Sequence, residues 1–205
     1  GSLYRVFIRL GYRRKAESTK KKSKHNGHYD TPKELGKKWQ MDVKYVPSAC
    51  YAGEDGEKFY QYTMLEEASR KRFIYAYRET GGYSTCDFVK RAIIWFGYAP
   101  DIIQTDNGGE FTHTKKTKRI HPFDSLCAEL HITHKLIRPR TPWHNGKAER
   151  SHRNDQERFY NHLSFYSYED LQIQMKRYLY RSNNIPMAVL GWKSPNQKQR
   201  EMETA

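Results

Sequence analysis

The order of the apolar segments constrains the fold more than any other feature of this sequence. After Lys38 come three runs rich in aromatic and β-branched residues, with turn-like segments between them: WQMDVKYV, KFYQYTMLEE and KRFIYAYRE. Such residues favour strands, and the short turns GEDGE and EASR separate one run from the next. We therefore predict three successive strands that meander through one sheet.

Helical and strand patterns alternate after these three runs. The segment STCDFVKRAIIWFG carries one apolar face and ends at Gly97, which is typical of an amphipathic helix. DIIQTD and HITHKLI predict a fourth and a fifth strand, and HPFDSLCAEL predicts a helix between them. Two longer helical patterns follow, GKAERSHRNDQERFYNHL and SYEDLQIQMKRYLYRSNN. This order predicts an α/β domain with a mixed five-stranded sheet and helices on both of its faces.

The length and composition narrow the class of protein. A chain of 205 residues with 37% hydrophobic residues suits one domain, or one domain with a short appendage. No apolar run reaches the roughly 18 residues of a membrane span, and no signal peptide opens the chain. The three cysteines form no CxxC pair, which favours a reducing compartment over a disulfide framework or a zinc site. We expect a cytoplasmic protein.

The charge predicts a polyanionic partner. The formal net charge is +14, which favours nucleic acid first and an acidic membrane second. Residues 1–40 hold 12 Lys and Arg against 3 Asp and Glu, so the excess is concentrated at the N-terminal end. A basic surface without a specialised partner is the alternative interpretation.

The first 37 residues differ from the rest in composition and in predicted secondary structure. LYRVFIRLGYRRK predicts one short helix that stops at Gly11, and the basic run RRKAESTKKKSKHNG predicts a solvated linker. Gly1-Ser2 resembles the residue pair left by cleavage of a tag, so we expect the natural protein to extend upstream. Residues 1–37 are predicted to be the end of an upstream helical DNA-binding domain plus a basic linker, and residues 38–205 the core domain.

Three carboxylates stand at the positions that most need an explanation. Asp42 interrupts the first strand, Asp106 ends the fourth strand before the turn sequence NGGEF, and Glu149 opens a helix. Each has an ordinary explanation, as a polar strand position, a turn former or a favourable charge at a helix start. Together they could instead hold Mg²⁺ beside a nucleic-acid backbone, since Mg²⁺ takes oxygen ligands from one or two carboxylates and from phosphate.

The neighbourhoods of these carboxylates resemble a known family. WQMDVKYV, IIQTDNGGEF and TPWHNGKAERSHR resemble the three blocks of the D,D,E integrase core that retroviral integrases share with bacterial insertion-sequence transposases. The insertion-sequence type is the more similar, and NNIPMAVLGWKSPNQ resembles its final segment. The resemblance implies an RNase H-like fold and a catalytic core over residues 38–205 with a C-terminal helical tail. It also implies that Asp42, Asp106 and Glu149 are catalytic and hold two Mg²⁺ or Mn²⁺ ions per active site.

The resemblance also implies a reaction and its partners. The chain would be a transposase or integrase that cleaves DNA at the ends of a mobile element and joins the freed 3′-OH to target DNA. Neither step needs a covalent protein intermediate. The family further implies a homo-oligomer assembled on DNA, located at the bacterial nucleoid. Two alternatives remain: a DNA-binding protein of this fold without catalysis, and an RNase H-like nuclease that cuts without joining.

The predicted DNA contacts surround Glu149. Arg153 and Gln156 lie on one helical stripe with Glu149, and Gln156 stands where many relatives have a cation. The further predicted contacts come from the same helix and from the loop before it: Lys147, Arg150, Trp143 and His144. An ordinary solvated role remains the alternative for Arg153, and a packing role for Trp143.

One segment departs from the family pattern. The 42 residues between Asp106 and Glu149 exceed the interval common in the family, and FTHTKKTKRIHPF, which includes residues 112–122, is the expected insertion. It has no periodic apolar pattern, so we predict an extended loop or a hairpin.

Overall fold

The computed structural model describes residues 6–7, 10–11, 31–53, 57–138 and 142–204, except for the side chains of residues 142 and 143. Most of the predicted N-terminal helix and all of the basic linker lie outside these residues. By its internal contacts the chain divides into residues 1–30 and residues 31–205, and the sheet and its helices belong to the second unit. No helix among the described residues is long and apolar enough to span a bilayer.

The sheet has five strands and mixed direction, as the order of segments predicted. The strands are β1 (Trp39–Tyr45), β2 (Tyr60–Glu66), β3 (Arg72–Tyr77), β4 (Ile102–Thr105) and β5 (Thr133–Leu136). Their order is β3-β2-β1-β4-β5; β2 pairs antiparallel with both β1 and β3, whereas β4 runs parallel to both β1 and β5. The first strand is therefore central, and Asp42 lies within it.

Five helices accompany the sheet in the described part of the chain. They are α1 (Gly82–Phe96), α2 (Pro122–Glu129), α3 (Gly146–Arg158), α4 (Tyr168–Asn184) and α5 (Pro195–Glu203). Gly97 ends α1 as expected, with a left-handed φ of 84° that a glycine adopts without strain. The helix predicted from Gly146 ends earlier than its sequence pattern suggested, because Phe159 leaves the helical conformation and a 3-10 turn over Tyr160–His162 follows.

One face of the sheet is apolar and is covered by α1 and α2. Trp39 of β1 is fully buried, and its ring centroid lies 4.4 Å from that of Phe96 on α1. Phe73 of β3 stacks on Phe88 of α1 with centroids 5.4 Å apart, and Phe123 of α2 contacts His134 of β5. Burial of these aromatic rings supplies the main hydrophobic stabilisation of the sheet.

The opposite face carries polar side chains that hold α3 in place. Asp155 of α3 is fully buried and accepts hydrogen bonds from Arg72 Nη1 at 2.6 Å, Gln61 Nε2 at 2.7 Å and Tyr178 OH at 3.0 Å. These partners belong to β3, β2 and α4. One buried carboxylate therefore joins α3 to two strands and to the neighbouring helix, and helices lie on both faces as predicted.

Helix α4 also satisfies the backbone of the edge strand β3. Asn183 accepts from the backbone N–H of Arg72 and donates to its carbonyl, and Gln172 donates to the carbonyl of Ala76 at 2.7 Å. An open strand edge presents unpaired backbone groups that invite association with another chain. The side-chain amides of Asn183 and Gln172 form hydrogen bonds with several of these backbone groups on β3.

The predicted insertion forms a loop and not a hairpin. Residues 106–121 contain no helix or strand in the described structure, and residues 113–120 are exposed. The loop ends where His121 caps α2 by accepting from the backbone N–H of Phe123 at 3.3 Å.

Asp155→Ala is expected to destabilise the fold by about 3–5 kcal/mol, because it leaves the buried Arg72 guanidinium without its counter-charge. The free energy of unfolding in urea measures this. Glu157→Ala is the matched control, since Glu157 is an exposed acid on the same helix, and a change within about 0.5 kcal/mol is expected there. Equal effects for the two variants would contradict the role of Asp155.

Candidate functional site

The pairing of β1 with β4 brings Asp42 and Asp106 together. Gln40 of β1 is the register partner of Gln104 of β4, and both donate through Nε2 to the backbone carbonyl of His144, at 3.1 and 2.7 Å. Asp42 and Asp106 each lie two residues further along in this parallel arrangement, so both point to the same face. Adjacent strands lie about 4.8 Å apart, which makes the two aspartates lateral neighbours.

Asp42 lies in a half-buried and negatively charged environment. Its Oδ1 accepts from the backbone N–H of Val43 at 2.9 Å, and its Oδ2 lies 3.3 Å from His152 Nδ1. Burial, followed by the charges of Asp106, Glu149 and Glu110, raises the pKa of Asp42 to about 7, although the hydrogen bond from the Val43 N–H acts to lower it.

Glu149 and Glu110 belong to the same electrostatic cluster. Burial and the charge of Asp106 raise the pKa of Glu149, while Arg153 lowers it. Burial and Asp106 also raise the pKa of Glu110, which follows Asp106 in the same turn. Asp106 accepts from the backbone N–H of Gly108 at 2.9 Å, so its carboxylate shapes that turn as well. The charges of the three predicted carboxylates therefore act on one another, and Glu110 is a fourth acid within reach of them.

Helix α3 runs along β1 with a matched spacing. Ala148 N–H donates to Gln40 Oε1 at 3.1 Å, His152 faces Asp42, and Gln156 Oε1 accepts from Lys44 Nζ at 3.3 Å. Two strand residues advance about 6.7 Å and four helical residues advance 6.0 Å, so every second β1 side chain meets every fourth α3 residue. Glu149 follows directly after the first of these contacts, which places it beside the aspartates.

A buried ion pair fixes the start of α3. Glu67 is fully buried, lies 3.4 Å from Lys38 Nζ, accepts from Gln40 Nε2 at 2.9 Å and pairs closely with Lys147. Lys147 was predicted to contact DNA, but its ammonium is held by Glu67 in this structure. Burial lowers the pKa of Lys147, and Glu67 opposes that effect.

The other predicted DNA contacts lie on α3 and just before it. Arg153 and Arg150 are both exposed and lie three residues apart on the helix, which makes them surface neighbours. Arg153 lowers the pKa of Glu149, whereas Arg150 lines a groove of about 1040 Å³ with Arg158 and Arg181. Gln156 is tied to Lys44 and donates to Asn161 at 2.9 Å. His144 contributes its backbone carbonyl to the two strand glutamines, and the side chain of Trp143 lies outside the described residues.

Sequence reasoning missed three residues of the site, Glu110, Lys44 and His152. Lys44 is half-buried, and its ammonium lies 4.5 Å from the ring centroid of Tyr160. It places a cation beside Gln156, the position where the sequence had lacked one. The signal was the alternation of polar residues Gln40, Asp42 and Lys44 in β1, which marks one face of a strand that α3 covers.

The donor atoms at this site suit a hard divalent cation. The acidic cluster offers carboxylate oxygens, the ligand type that Mg²⁺ and Mn²⁺ favour. No group of three or more His, Cys, Asp or Glu side chains in the described part of the chain has the arrangement needed to hold a metal ion.

Without divalent cations, the carboxyl group of Asp42 is expected to titrate near pH 7 in the folded protein, well above the ordinary aspartate pKa of about 3.9. Asp106→Asn removes a neighbouring negative charge and should lower that midpoint, while burial keeps it above the ordinary value. Carboxyl ¹³C NMR titration in a metal-free buffer measures both. A midpoint near 4 in the unmodified protein would contradict the electrostatic description.

Comparison with known protein families identifies the same region. Residues 32–142 match a family model described as "Integrase core domain", and residues 130–195 match a second model with the same description. A putative integrase of the Spiroplasma virus SpV1-C74 is 30% identical over 173 residues, which cover 78% of this chain and 46% of that protein. The chain therefore spans about half the length of this curated relative.

Solved structures share the fold. An intasome structure from simian T-cell lymphotropic virus aligns with a TM-score of 0.63 at 18% identity, covering 83% of this chain and 56% of that one. The catalytic core of BIV integrase aligns with a TM-score of 0.59 at 20% identity, covering 82% and 97%. The dimeric HTLV-2 integrase core solved with magnesium gives 0.55 at 18% identity, covering 80% and 96%. The fold is RNase H-like, as the resemblance implied.

Proposed function

Since the chain belongs to the integrase core family, with a family-model match over more than half of its length, we propose that it is a DNA transposase or integrase that cleaves DNA and joins a 3′-OH end to target DNA. The observation that carries the proposal is that Asp42, Asp106 and Glu149, on two adjacent strands and one helix, lie close enough for their charges to act on one another. In the described residues these side chains are not already arranged to bind a metal ion, so binding would draw the carboxylates closer together.

Asp42, Asp106 and Glu149 would hold Mg²⁺ or Mn²⁺, with two ions per site as the family resemblance implies. When bound, such ions lower the pKa of the attacking water and stabilise the leaving oxygen. The magnesium in the HTLV-2 integrase core supports this assignment. The raised pKa of Asp42 supports it also, because burial and the neighbouring acids disfavour the ionised carboxylate, and a bound cation would offset both effects.

The reaction divides into two displacements at phosphorus. In cleavage, water attacks the phosphorus, the bond to O3′ breaks, and the element end leaves as a free 3′-OH. In joining, that 3′-oxygen attacks a target phosphorus, loses its proton, and displaces the target O3′. We propose that Arg153, which is exposed and lowers the pKa of Glu149, contacts a phosphate near the reacting bond.

The partners follow from the same reaction. The element ends and the target DNA are the proposed substrates, at the bacterial nucleoid, and the net charge of +14 supports DNA binding. Two ends must be joined in concert, so we propose a homo-oligomer assembled on DNA. The dimeric and trimeric forms of the HTLV-2 integrase core support this proposal.

Asp42→Asn, Asp106→Asn and Glu149→Gln should each abolish Mg²⁺-dependent strand transfer while DNA binding persists, because each removes a charged oxygen ligand and leaves the shape nearly unchanged. A gel assay with labelled element ends and plasmid target resolves cleavage products from joined products. Joining that survives in any of these variants would overturn the assignment. Cleavage without joined products in the unmodified protein would favour the RNase H-like nuclease, and neither product would favour the DNA-binding protein.

Arg153→Ala should weaken DNA binding and reduce the slope of log Kd against log salt by about 0.9, the value for one lost phosphate contact. Fluorescence anisotropy with a labelled duplex at several salt concentrations measures the slope. Arg177→Ala is the control, since Arg177 is an exposed arginine on α4. Equal slopes in both variants would show that Arg153 does not contact DNA. Arg150→Ala applies the same test to the neighbouring arginine, one helical turn before Arg153.

A further inference from the structure

A chain of buried polar side chains leads from Asp155 to the candidate catalytic carboxylate Asp42. Gln61 and Thr63 of β2 are both fully buried, and they lie opposite Lys44 and Asp42 in the antiparallel pairing with β1. His152 of α3 lies over this pair, with only 13% of its side chain exposed. The positions of the hydrogen atoms in this hydrogen-bonded series, Asp155–Gln61–Thr63–His152–Asp42, follow from the donor and acceptor capacity of each group.

The first link is fixed by the carboxylate of Asp155. Paired with Arg72, this group can only accept hydrogen bonds, so the atom of Gln61 that lies 2.7 Å from it must be the amide nitrogen. The second hydrogen of the same amide reaches Thr63 Oγ1 at 2.9 Å, and the Gln61 oxygen accepts from Tyr160 OH. The Gln61 amide therefore has a single orientation.

The second link assigns the imidazole tautomer. Thr63 Oγ1 already accepts from Gln61, and His152 Nε2 lies 3.0 Å from it. If the Thr63 hydroxyl donates to His152 Nε2, that nitrogen carries no proton. Both Gln61 amide hydrogens and the Thr63 hydroxyl hydrogen then have an acceptor. The reverse arrangement would leave a buried hydroxyl hydrogen without an acceptor, which is unfavourable. It would also set the lone pair of Nδ1 against the Asp42 carboxylate at 3.3 Å.

We propose that His152 is a positioning residue for Asp42, held as the neutral tautomer with its proton on Nδ1, which faces Asp42 Oδ2. Each oxygen of Asp42 then has one N–H partner, because Oδ1 accepts from the backbone of Val43. A carboxylate oxygen has about two acceptor directions, so both oxygens keep one for a further ligand. The plane of the carboxylate is fixed before any cation or DNA arrives. The catalytic consequence rests on the proposed function, whereas the tautomer does not.

The tautomer is tested by long-range ¹H–¹⁵N NMR of the imidazole in the metal-free protein, at a pH well above the midpoint expected for Asp42, so that this carboxyl group is ionised. We expect a protonated Nδ1 and an unprotonated Nε2 for His152. Thr63→Ser keeps the hydroxyl and should keep both ¹⁵N resonances. The nearly isosteric Thr63→Val removes the donor to Nε2 and should shift the Nε2 resonance, while Nδ1 stays protonated beside Asp42. A protonated Nε2, a doubly protonated ring, or an unchanged Nε2 resonance in Thr63→Val would overturn the proposal.

The positioning role is tested by a pair of substitutions at His152. Asn places an amide nitrogen where Nδ1 stands and should retain strand transfer within several-fold. Gln and Ala lack a donor there, and they should reduce strand transfer by about 10–100-fold, the usual effect of removing a group that orients a metal ligand. The Mg²⁺ concentration for half-maximal activity should rise as well. Thermal unfolding verifies that each variant is folded.

The outcomes separate the two proposals. If Asp42→Asn abolishes joining but the His152 variants to Gln and Asn behave alike, the positioning role fails and the proposed function stands. If no variant joins DNA, including the unmodified protein, the proposed function fails while the NMR result still decides the tautomer.

Discussion

The buried pair of Asp155 and Arg72 is the contact on which the rest of the site depends. Asp155 is fully buried and has partners on β2, β3 and α4, so α3 cannot shift without breaking several hydrogen bonds at once. An isolated buried charge is strongly unfavourable, and the arrangement is stable only because each partner is satisfied. The main effect of the pair is therefore to fix the position of α3 on the sheet, and its net contribution to the free energy of unfolding is smaller. The ion pair fixes the register in which α3 packs on β1, and that register sets the position of Glu149 relative to Asp42 and Asp106.

The start of α3 is fixed in a second way, through groups that come before Glu149. The backbone carbonyl of His144 receives both strand glutamines, and Glu67 binds Lys147 and Gln40. Asn145, which precedes the helix, donates to the carbonyl of Met41 at 3.2 Å. These contacts tie the beginning of α3 to the same strand that carries Asp42. Contacts at the start of α3 and at Asp155 near its end therefore hold the helix on both sides of Glu149. This fixes the position of Glu149 relative to the strand that carries Asp42.

The sequence allowed the sheet, its order of elements and the three carboxylates to be predicted, because these depend on local periodicity and on strand ends. The comparisons confirm the family and the fold, whereas the role of the carboxylates stays a prediction. His152 and the pairing of Lys147 with Glu67 could not be predicted, because each depends on how one helix registers on one strand. The polar alternation of β1 marked the face on which Lys44 lies, but it did not give the partner of Lys44. Gln156 shows the same limit: a stripe on an isolated helix suggested a DNA contact, while the folded chain ties its amide to Lys44 and Asn161. The early end of α3 at Arg158 likewise depends on tertiary packing around Phe159 and Tyr160.

The electrostatics of the site reflect a balance between Asp42 and His152. Burial and the neighbouring acids raise the pKa of Asp42 to about 7, so the folded state binds this proton more tightly than the unfolded chain does. Its contribution to stability therefore falls as the pH rises from about 4 to about 7. Burial lowers the pKa of His152 to about 4, so its contribution is present above about 6.5 and is lost as the pH falls toward 4. The two effects oppose each other within the same interval, and a neutral imidazole beside a proton-binding carboxylate is the state that the fold favours without a cation. If Asp42 holds a divalent cation as proposed, the positive charge would favour the ionised carboxylate in place of the protonated one.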